Sequence, residues 1–434
     1  MAADARPGGR DEGALTDTIF ALSSGAPPAG IAVVRISGPG AGATLTDLAG
    51  SLPDARVASV KALKDKDEVL DRGLVLWFPG PNSATGEDVA ELHLHGGRAI
   101  VARVKAALAA RQGLREAAPG EFTRRAFENG RIDLAEAEGL GDLLAAETES
   151  QRRAALALAG GALSRQVAAW QTALLELAAM VEAALDFSDE DDVSPLPANF
   201  HERLDTLHGD ISAWLRRPPA ERLRDGVRVV VAGPPNAGKS SLFNAIVGRE
   251  AAIVSAVPGT TRDLIEAPLS LGGVPIILID TAGLRESDDL IEAEGVGRAQ
   301  AAAAAADLVL WLGDPARAPD RAILVHPKAD LGGLPEPGSV AVSALSGEGV
   351  AALIRVLVQA ALEMLPAESE VALNARQRAA LQEAAEAIAS ATPSDLLLVA
   401  ESLRIARSAF DRVTGAAGVE SVLDGLFGRF CIGK

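Results

Sequence analysis

The sequence predicts a multidomain protein. It combines an α+β N-terminal part, an all-α helical part and an inserted α/β module with a phosphate-binding loop and a mostly parallel sheet. Three observations lead there. The chain has 434 residues, too many for one ordinary core. Its hydrophobic pattern passes from short β-rich runs to helical periodicity, then to strand–helix alternation, then back to helices. The string GPPNAGKS at 233–240 stands between a strand-like run, VRVVVA, and a helix-like one, SLFNAI.

Taken in order, residues 1–16 read as a loose tail without an apolar signal core. Residues 17–121 read as a compact α+β domain. Its strands are Ile31–Ile36, Leu74–Phe78 and Val89–His95, and 98–112 is helical. Residues 122–225 form a first helical part, in which Leu134, Ala137, Leu140 and Leu144 fall on one helical face. The acidic run Asp186–Asp192 reads as a solvated loop, because it lacks the spacing and central glycine of a calcium loop. The α/β module spans 226–366, with strands at Arg228–Ala232, Ile276–Ile279, Leu308–Leu312, Ala322–Val325 and Val340–Val342. A second helical part covers 367–434, where Leu381, Ala384, Ala385 and Ile388 share a face. The order is that of a helical domain interrupted by the module, although periodicity does not show that the two helical parts pack together.

Composition narrows the partners. A net charge of −18 argues against a large basic surface for nucleic-acid phosphates, so such a role needs a local basic patch or a basic partner. The single cysteine, Cys431, allows no intramolecular disulfide, which suits a reducing compartment. No uninterrupted apolar stretch reads as long enough to span a bilayer. A soluble, cytoplasmic protein without a membrane partner is expected. Cys431 reads equally as an inert small residue or as a reactive thiol. His93 and His95 alternate on one strand face, but two histidines without a third ligand predict no metal site.

The motifs carry the chemistry. Gly233 and Gly238 let the backbone wrap phosphates, and the following helix N-terminus faces their charge. Lys239 can reach the β- and γ-phosphates, and the Ser240 hydroxyl can ligate magnesium. Asp280-Thr281-Ala282-Gly283 follows the strand VPIILID. Asp280 can hold magnesium through water, and Gly283 can donate its N–H to the γ-phosphate. At Pro327-Lys328-Ala329-Asp330, the Asp330 carboxylate can accept from N1–H and the exocyclic amine of guanine. Pro327 stands where Asn is usual, so one polar contact to the base pocket is missing. Guanine is still expected, held by Asp330, Lys328 and the turn Ser343-Ala344-Leu345, with reduced affinity.

Between these motifs lies Pro258-Gly259-Thr260-Thr261-Arg262-Asp263, and this GTTRD string resembles the TrmE–Era group of GTPases. Three further stretches sharpen the likeness: PNSATGEDVAELHLHGG (81–97), PGEFTRRAFENGRIDLAEAE (119–138) and the terminal FCIGK (430–434). With them the chain resembles the MnmE (TrmE) family of tRNA modification GTPases from about Asp17 to Lys434. The resemblance implies a folate-binding N-terminal domain that dimerises, a helical domain, and a GTPase domain inserted into it. It implies GTP bound by Asn236, Ala237, Gly238, Lys239, Ser240 and Ser241; by Ser255, Ala256, Val257, Pro258, Gly259, Thr260 and Thr261; and by Asp280 to Gly283 (with Thr281 and Ala282), Pro327 to Asp330 (with Ala329) and Ser343 to Leu345.

Thr261 would complete the magnesium shell with Ser240. A potassium ion would be held by Asn236, Ser255, Val257 and Thr260. Leu284 stands where Ras-like enzymes place a catalytic glutamine, and Glu292 would orient the attacking water, with Lys239 as the second catalytic group. A tetrahydrofolate derivative (5-formyl or methylene) would bind Arg35, Glu91, Arg131 and Lys434. The family more often has lysine at Arg131 and an aromatic at Ala84.

The resemblance further implies a heterotetramer of a homodimer with the flavoprotein MnmG (GidA), acting on the wobble uridine of tRNA at carbon 5 with a carboxymethylaminomethyl-type group. Two other readings remain beside it. An Era-like ribosome-assembly GTPase would need a basic RNA-binding domain that this acidic chain lacks. A non-enzymatic folate-binding scaffold would use GTP only to set conformation.

Overall fold

The computed structural model describes residues 17–186, 196–249, 265–280, 306–332, 334–367, 370–391, 395–417, 420–428 and 430–433. The chain forms two compact units, Met1–Gly141 with Thr414–Lys434, and Asp142–Val413.

The first unit is built on a six-stranded sheet in the order β3-β4-β5-β2-β1-β6. Its strands are β1 (Thr18–Leu22), β2 (Ala29–Ser37), β3 (Ser59–Asp65), β4 (Glu68–Phe78), β5 (Val89–Gly96) and β6 (Leu114–Glu116). Helices α1 (Ala41–Ala49) and α2 (Arg98–Ala109) share an apolar core with one sheet face, where Val34, Val75 and Leu92 are fully buried. That is what period-two alternation in β2, β4 and β5 predicts. The strands read from sequence are all present. Three were not read: β1, which lies inside the sheet, and β3 and β6 at its edges. β3 carries Lys61 and Lys64, charges that suit an edge and dilute the apolar signal. Helices α3 (Glu121–Glu128), α4 (Leu134–Ala145) and α13 (Glu420–Phe427) complete this unit's described helices, with Leu134, Ala137, Phe427 and Phe430 in one cluster. Leu134 and Ala137 are buried as expected, but Leu144 is 44% exposed: α4 needs only a narrow apolar stripe, and the sequence offers a wider one.

The second unit holds the α/β module and a helical bundle. The module's sheet runs β12-β11-β10-β7-β9-β8, from β7 (Val227–Ala232), β8 (Ile265–Leu271), β9 (Val274–Asp280), β10 (Leu308–Trp311), β11 (Ala322–Pro327) and β12 (Val340–Val342). All neighbours are parallel except β8, which is antiparallel to β9. β8 was not read from sequence. It contains Pro268, which an edge strand tolerates and a central one does not. Helices α9 (Lys239–Val247) and α10 (Val350–Leu362) cover this sheet.

The bundle is made of α5 (Glu149–Ala159), α6 (Ala162–Asp186), α7 (Phe200–Leu215), α8 (Ala220–Asp225), α11 (Ala375–Ser390) and α12 (Leu396–Thr414). Trp170 of α6 stacks on Phe410 of α12 at 5.8 Å and meets Trp214 of α7 edge-on at 5.6 Å. Helices from before and after the module therefore share one core, which periodicity left open. The multidomain α+β, helical and α/β class is the one expected.

α6 bears on the expectation that no uninterrupted apolar stretch is long enough to span a bilayer. Within its 25 residues a stretch of 18 reaches a mean hydropathy of 1.2, long and apolar enough to cross a membrane by length and composition alone. Alanine and leucine hold its hydropathy high around isolated charges. Its buried residues Leu163, Val167, Trp170, Leu174, Leu177 and Val181 recur at helical spacing, the pattern of a bundle helix packed along one face.

Candidate nucleotide and folate sites

The phosphate loop follows from its strand. β7 is nearly all valine and buried, so its end is fixed. The chain leaves it at Gly233 with φ of 150°, and a Cβ there would lie 3.0 Å from the Leu312 carbonyl oxygen. Only glycine passes that point without displacing β10's end. Asn236 then takes a left-handed φ of 61°, and Gly238, at φ of 96°, caps α9. The first N–H groups of α9 face the loop, a ready anion site. The Lys239 ammonium curls over that loop, donating to the carbonyls of Gly233 at 3.2 Å and Pro234 at 2.9 Å. Ser240 is the second residue of α9. Asp280, 2% exposed, ends β9 level with Val231 of β7. A hydroxyl at the start of α9 and a buried carboxylate at the end of β9 are the hard oxygen donors magnesium requires.

The base side is a pocket of about 280 Å³. β11 ends at Pro327, level with Val342 of β12. Lys328 turns with φ of 57°, and its ammonium donates to the Asn236 carbonyl at 3.0 Å, tying this loop to the phosphate loop. Asp330 lies on the pocket wall with Lys328, Ala344 and Leu345. Leu331 and Leu345, 77% and 91% exposed, offer apolar surface to a flat ring. Ser343 is fully buried, and its hydroxyl accepts from the Ser346 N–H at 3.1 Å, which fixes the turn carrying Ala344 and Leu345. Arg249, just past α9, donates to the Gly347 carbonyl at 3.1 Å and braces the same turn.

In the first unit, Arg35 of β2 lies directly opposite Glu91 of β5. Its Nε and Nη2 both donate to Glu91 Oε1, at 3.0 and 2.8 Å, and its guanidinium stands 5.8 Å from the Phe122 ring. The other carboxylate oxygen is 3.3 Å from His93 Nε2, while His95 pairs with Asp71 at 2.7 Å. Each histidine thus has a carboxylate partner. A cation and a carboxylate side by side match the mixed donor–acceptor edge of a pteridine. Arg131 packs beside Gly86, where a Cβ would lie 3.2 Å from its Cγ. Ile432 and Gly433 are held nearby in the fold. Ile432 bridges Pro119, Ser23 donates to the Gly433 carbonyl at 2.7 Å, and Gly433 at φ of 97° lies so close that a Cβ would meet the Leu22 oxygen at 2.0 Å. Cys431 is exposed.

The chain matches the family described as GTP-binding protein TrmE N-terminus over residues 18–131 and the MnmE helical domain over residues 134–431. It belongs to the MnmE family. It is 60% identical to a tRNA modification GTPase MnmE of Rhizorhabdus wittichii, covering 96% of this chain and 97% of that one. Identity is 57% with the protein of the same name from Erythrobacter litoralis, over 96% of this chain and all of that one, and 56% with that from Novosphingobium aromaticivorans, over 97% and 100%. Among solved structures, the G domain of the T. maritima FeoB iron transporter is 28% identical over 31% of this chain and 98% of that one, with a TM-score of 0.22.

Several residues that the MnmE resemblance singles out lie outside the described residues: Ser255, Ala256, Val257, Pro258, Gly259, Thr260, Thr261, Thr281, Ala282, Gly283, Glu292 and Lys434. The structure adds one group that sequence reading passed over. Arg125, 2% exposed, donates to Asp17 at 2.7 Å, Glu121 at 3.0 Å and Glu87 at 3.2 Å. Glu87 also accepts from Ser37 at 2.7 Å. Burial opposes the Arg125 charge, but the carboxylates of Glu87, Glu121 and Asp17 outweigh it and hold the guanidinium charged. Its signal in the sequence is the second arginine of EFTRRAFENG, on a helix face otherwise formed by Phe122 and Ala126.

Proposed function

We propose that this chain hydrolyses GTP in the modification of tRNA. The observation that carries the reading is the β7–loop–α9 geometry, with the Lys239 ammonium over the loop, Asp280 at the adjoining strand end and Asp330 on the wall of a base-sized pocket. The loop N–H groups and Lys239 would hold the phosphates, and Asp330 would select guanine by accepting from its N1–H and amine. Glu292 would orient the attacking water. Bound magnesium (Ser240, Thr261) and potassium (Asn236, Ser255, Val257, Thr260) would offset charge developing between the β- and γ-phosphates.

The finer reading rests on the family. Arg35, Glu91, Arg131 and Lys434 would bind a tetrahydrofolate derivative that supplies a one-carbon unit. The chain would act as a homodimer with the flavoprotein MnmG, in the cytoplasm, on the wobble uridine at carbon 5. A charge of −18 supports tRNA contact made largely through that partner. Hydrolysis would drive closure and opening of the α/β modules.

Two measurements test this. Hydrolysis in potassium should exceed that in sodium by about tenfold or more, as removal of one electrostatic contact from a transition state implies; equal slow rates would discard the potassium mechanism. Reconstitution with the flavoprotein on unmodified tRNA, omitting GTP, potassium or folate in turn, assigns each role. Product formed without GTP would overturn the coupling of hydrolysis to modification.

A further inference from the structure

The strand that delivers the phosphate loop starts at a junction held by one side chain. β7 begins right after α8, and Gln151, in the first turn of α5, reaches across to it. Its Nε2 donates to the carbonyls of Leu223 and Arg224, both at 3.1 Å, at the C-terminal end of α8. Its Oε1 accepts from the backbone N–H groups of Glu147 and Thr148, both at 2.9 Å, at the N-terminus of α5. One amide thus uses both donors and both acceptor positions to join a helix start to a helix end. Those end groups would otherwise lack partners, so the junction is specified by hydrogen bonding at both sides.

The same helix start grips the second strand of the nucleotide site. The Ser150 N–H donates to the Gly273 carbonyl at 3.2 Å, in the turn between β8 and β9. β9 runs from there to Asp280. Both strands that end at the phosphate site, β7 and β9, are therefore tied to the first turn of α5, β7 through Gln151 and the end of α8, β9 through Ser150 and the Gly273 turn. Packing behind the anchor is loose. A cavity of about 90 Å³ lies there, lined by alanines such as Ala145, Ala154 and Ala220 and also by Leu158, Leu223 and Arg224. A void there forfeits packing contacts between α5 and α8, so the polar contacts help to set their relative position.

We infer that Gln151 is a positioning residue through which nucleotide state at the phosphate loop reaches the helical bundle. The inference rests on the GTP-binding reading above. A shift of β7 on exchanging GDP for GTP would move the α8 end, and the amide of Gln151 converts that shift into displacement of α5. Without its two donors, α5 loses its link to the end of α8 and to β7, and the Ser150–Gly273 bond alone still joins it to the module.

Amide hydrogen exchange on the full-length protein tests this, comparing GDP with a non-hydrolysable GTP analogue in magnesium and potassium. In the native protein, segments 148–160 and 220–226 should change exchange between the two nucleotides by on the order of fivefold, alongside 233–241. Gln151→Glu keeps an oxygen to accept from residues 147 and 148 but has no N–H for Leu223 and Arg224. It should keep the response at 233–241 and lose it at 148–160. Gln151→Ala should behave alike, and if it does not fold, Gln151→Glu still decides. An unchanged nucleotide response at 148–160 in Gln151→Glu overturns the inference, as does uniformly faster exchange in both nucleotide states with the difference retained, the mark of a merely structural residue. A native protein that responds at 233–241 but not at 148–160 also overturns it and leaves the GTP reading intact. No response at 233–241 to either nucleotide removes the GTP reading and the inference with it.

Discussion

Pro327 closes β11 at the place where a polar side chain would face the base loop, and it offers neither an N–H nor a side-chain acceptor. The pocket around it includes the apolar Leu242, Val325 and Val342 beside Ser241, Lys328 and Asp330. Pro327→Asn should tighten GDP binding about fivefold, roughly the ~1 kcal/mol of one net hydrogen bond. Titration with a fluorescent GDP analogue measures it, and unchanged or weaker binding would show that the ring is not what limits affinity. Asp330 supports a sharper test. Asp330→Asn replaces an acceptor by a mixed amide, so guanine should lose about 10- to 100-fold in affinity and xanthine, with a carbonyl in place of the amine, should gain. Competition between GDP and XDP reads this directly. An unchanged preference would move base recognition elsewhere in the pocket.

At the scale of elements, the phosphate loop was legible because its determinants are local. Strand, glycines, lysine and helix are contiguous, and the glycine positions follow from backbone geometry at Gly233 and Gly238. The Arg35–Glu91 pair was legible only through the family likeness, since nothing in the two strands alone sets their register. Arg125 and Gln151 were not legible, because their partners are set by tertiary packing across long stretches of chain: Asp17 and Glu87 for one, Leu223 and Arg224 for the other.

Arg125 yields two predictions. Arg125→Met leaves Asp17, Glu87 and Glu121 around an uncompensated site and should cost about 3–5 kcal/mol of stability, with part recovered on adding Glu87→Gln. Urea unfolding of the single and double variants measures this; additive losses would show that the pair is not coupled. Glu121 gives the pH dependence. Burial alone would raise its carboxyl, but Arg115, the Ala118 N–H and Arg125 outweigh it and hold it below 4.5. A depressed carboxyl stabilises the fold above its ordinary value and loses that contribution as pH falls through the folded one. The urea midpoint should therefore fall as pH drops below about 4.5, and Glu121→Gln should flatten that fall.

On the scale of the whole molecule, the open question is what covers the outer face of the first unit's sheet. Val60, Leu74, His93 and Val33 lie in one cross-strand row, facing away from α1 and α2. Val60 and Leu74 are 60% and 42% exposed, and Ile31, opposite His95, is 63% exposed. Neighbouring exposed apolar side chains on a single sheet face, beside the Arg35–Glu91 pair, are the kind of patch that marks an interaction surface. A homodimer formed through this face would bury them and place two folate candidates near the interface. Leu74→Glu puts a charge in the middle of that row, where desolvation opposes association, while its own fold keeps the side chain partly in water. Sedimentation equilibrium should then show the dimer's dissociation constant raised by at least about tenfold, with an unchanged far-ultraviolet spectrum. If Leu74→Glu dimerises as tightly as the native chain, the dimer uses another surface, and the apolar row must be explained by a different partner.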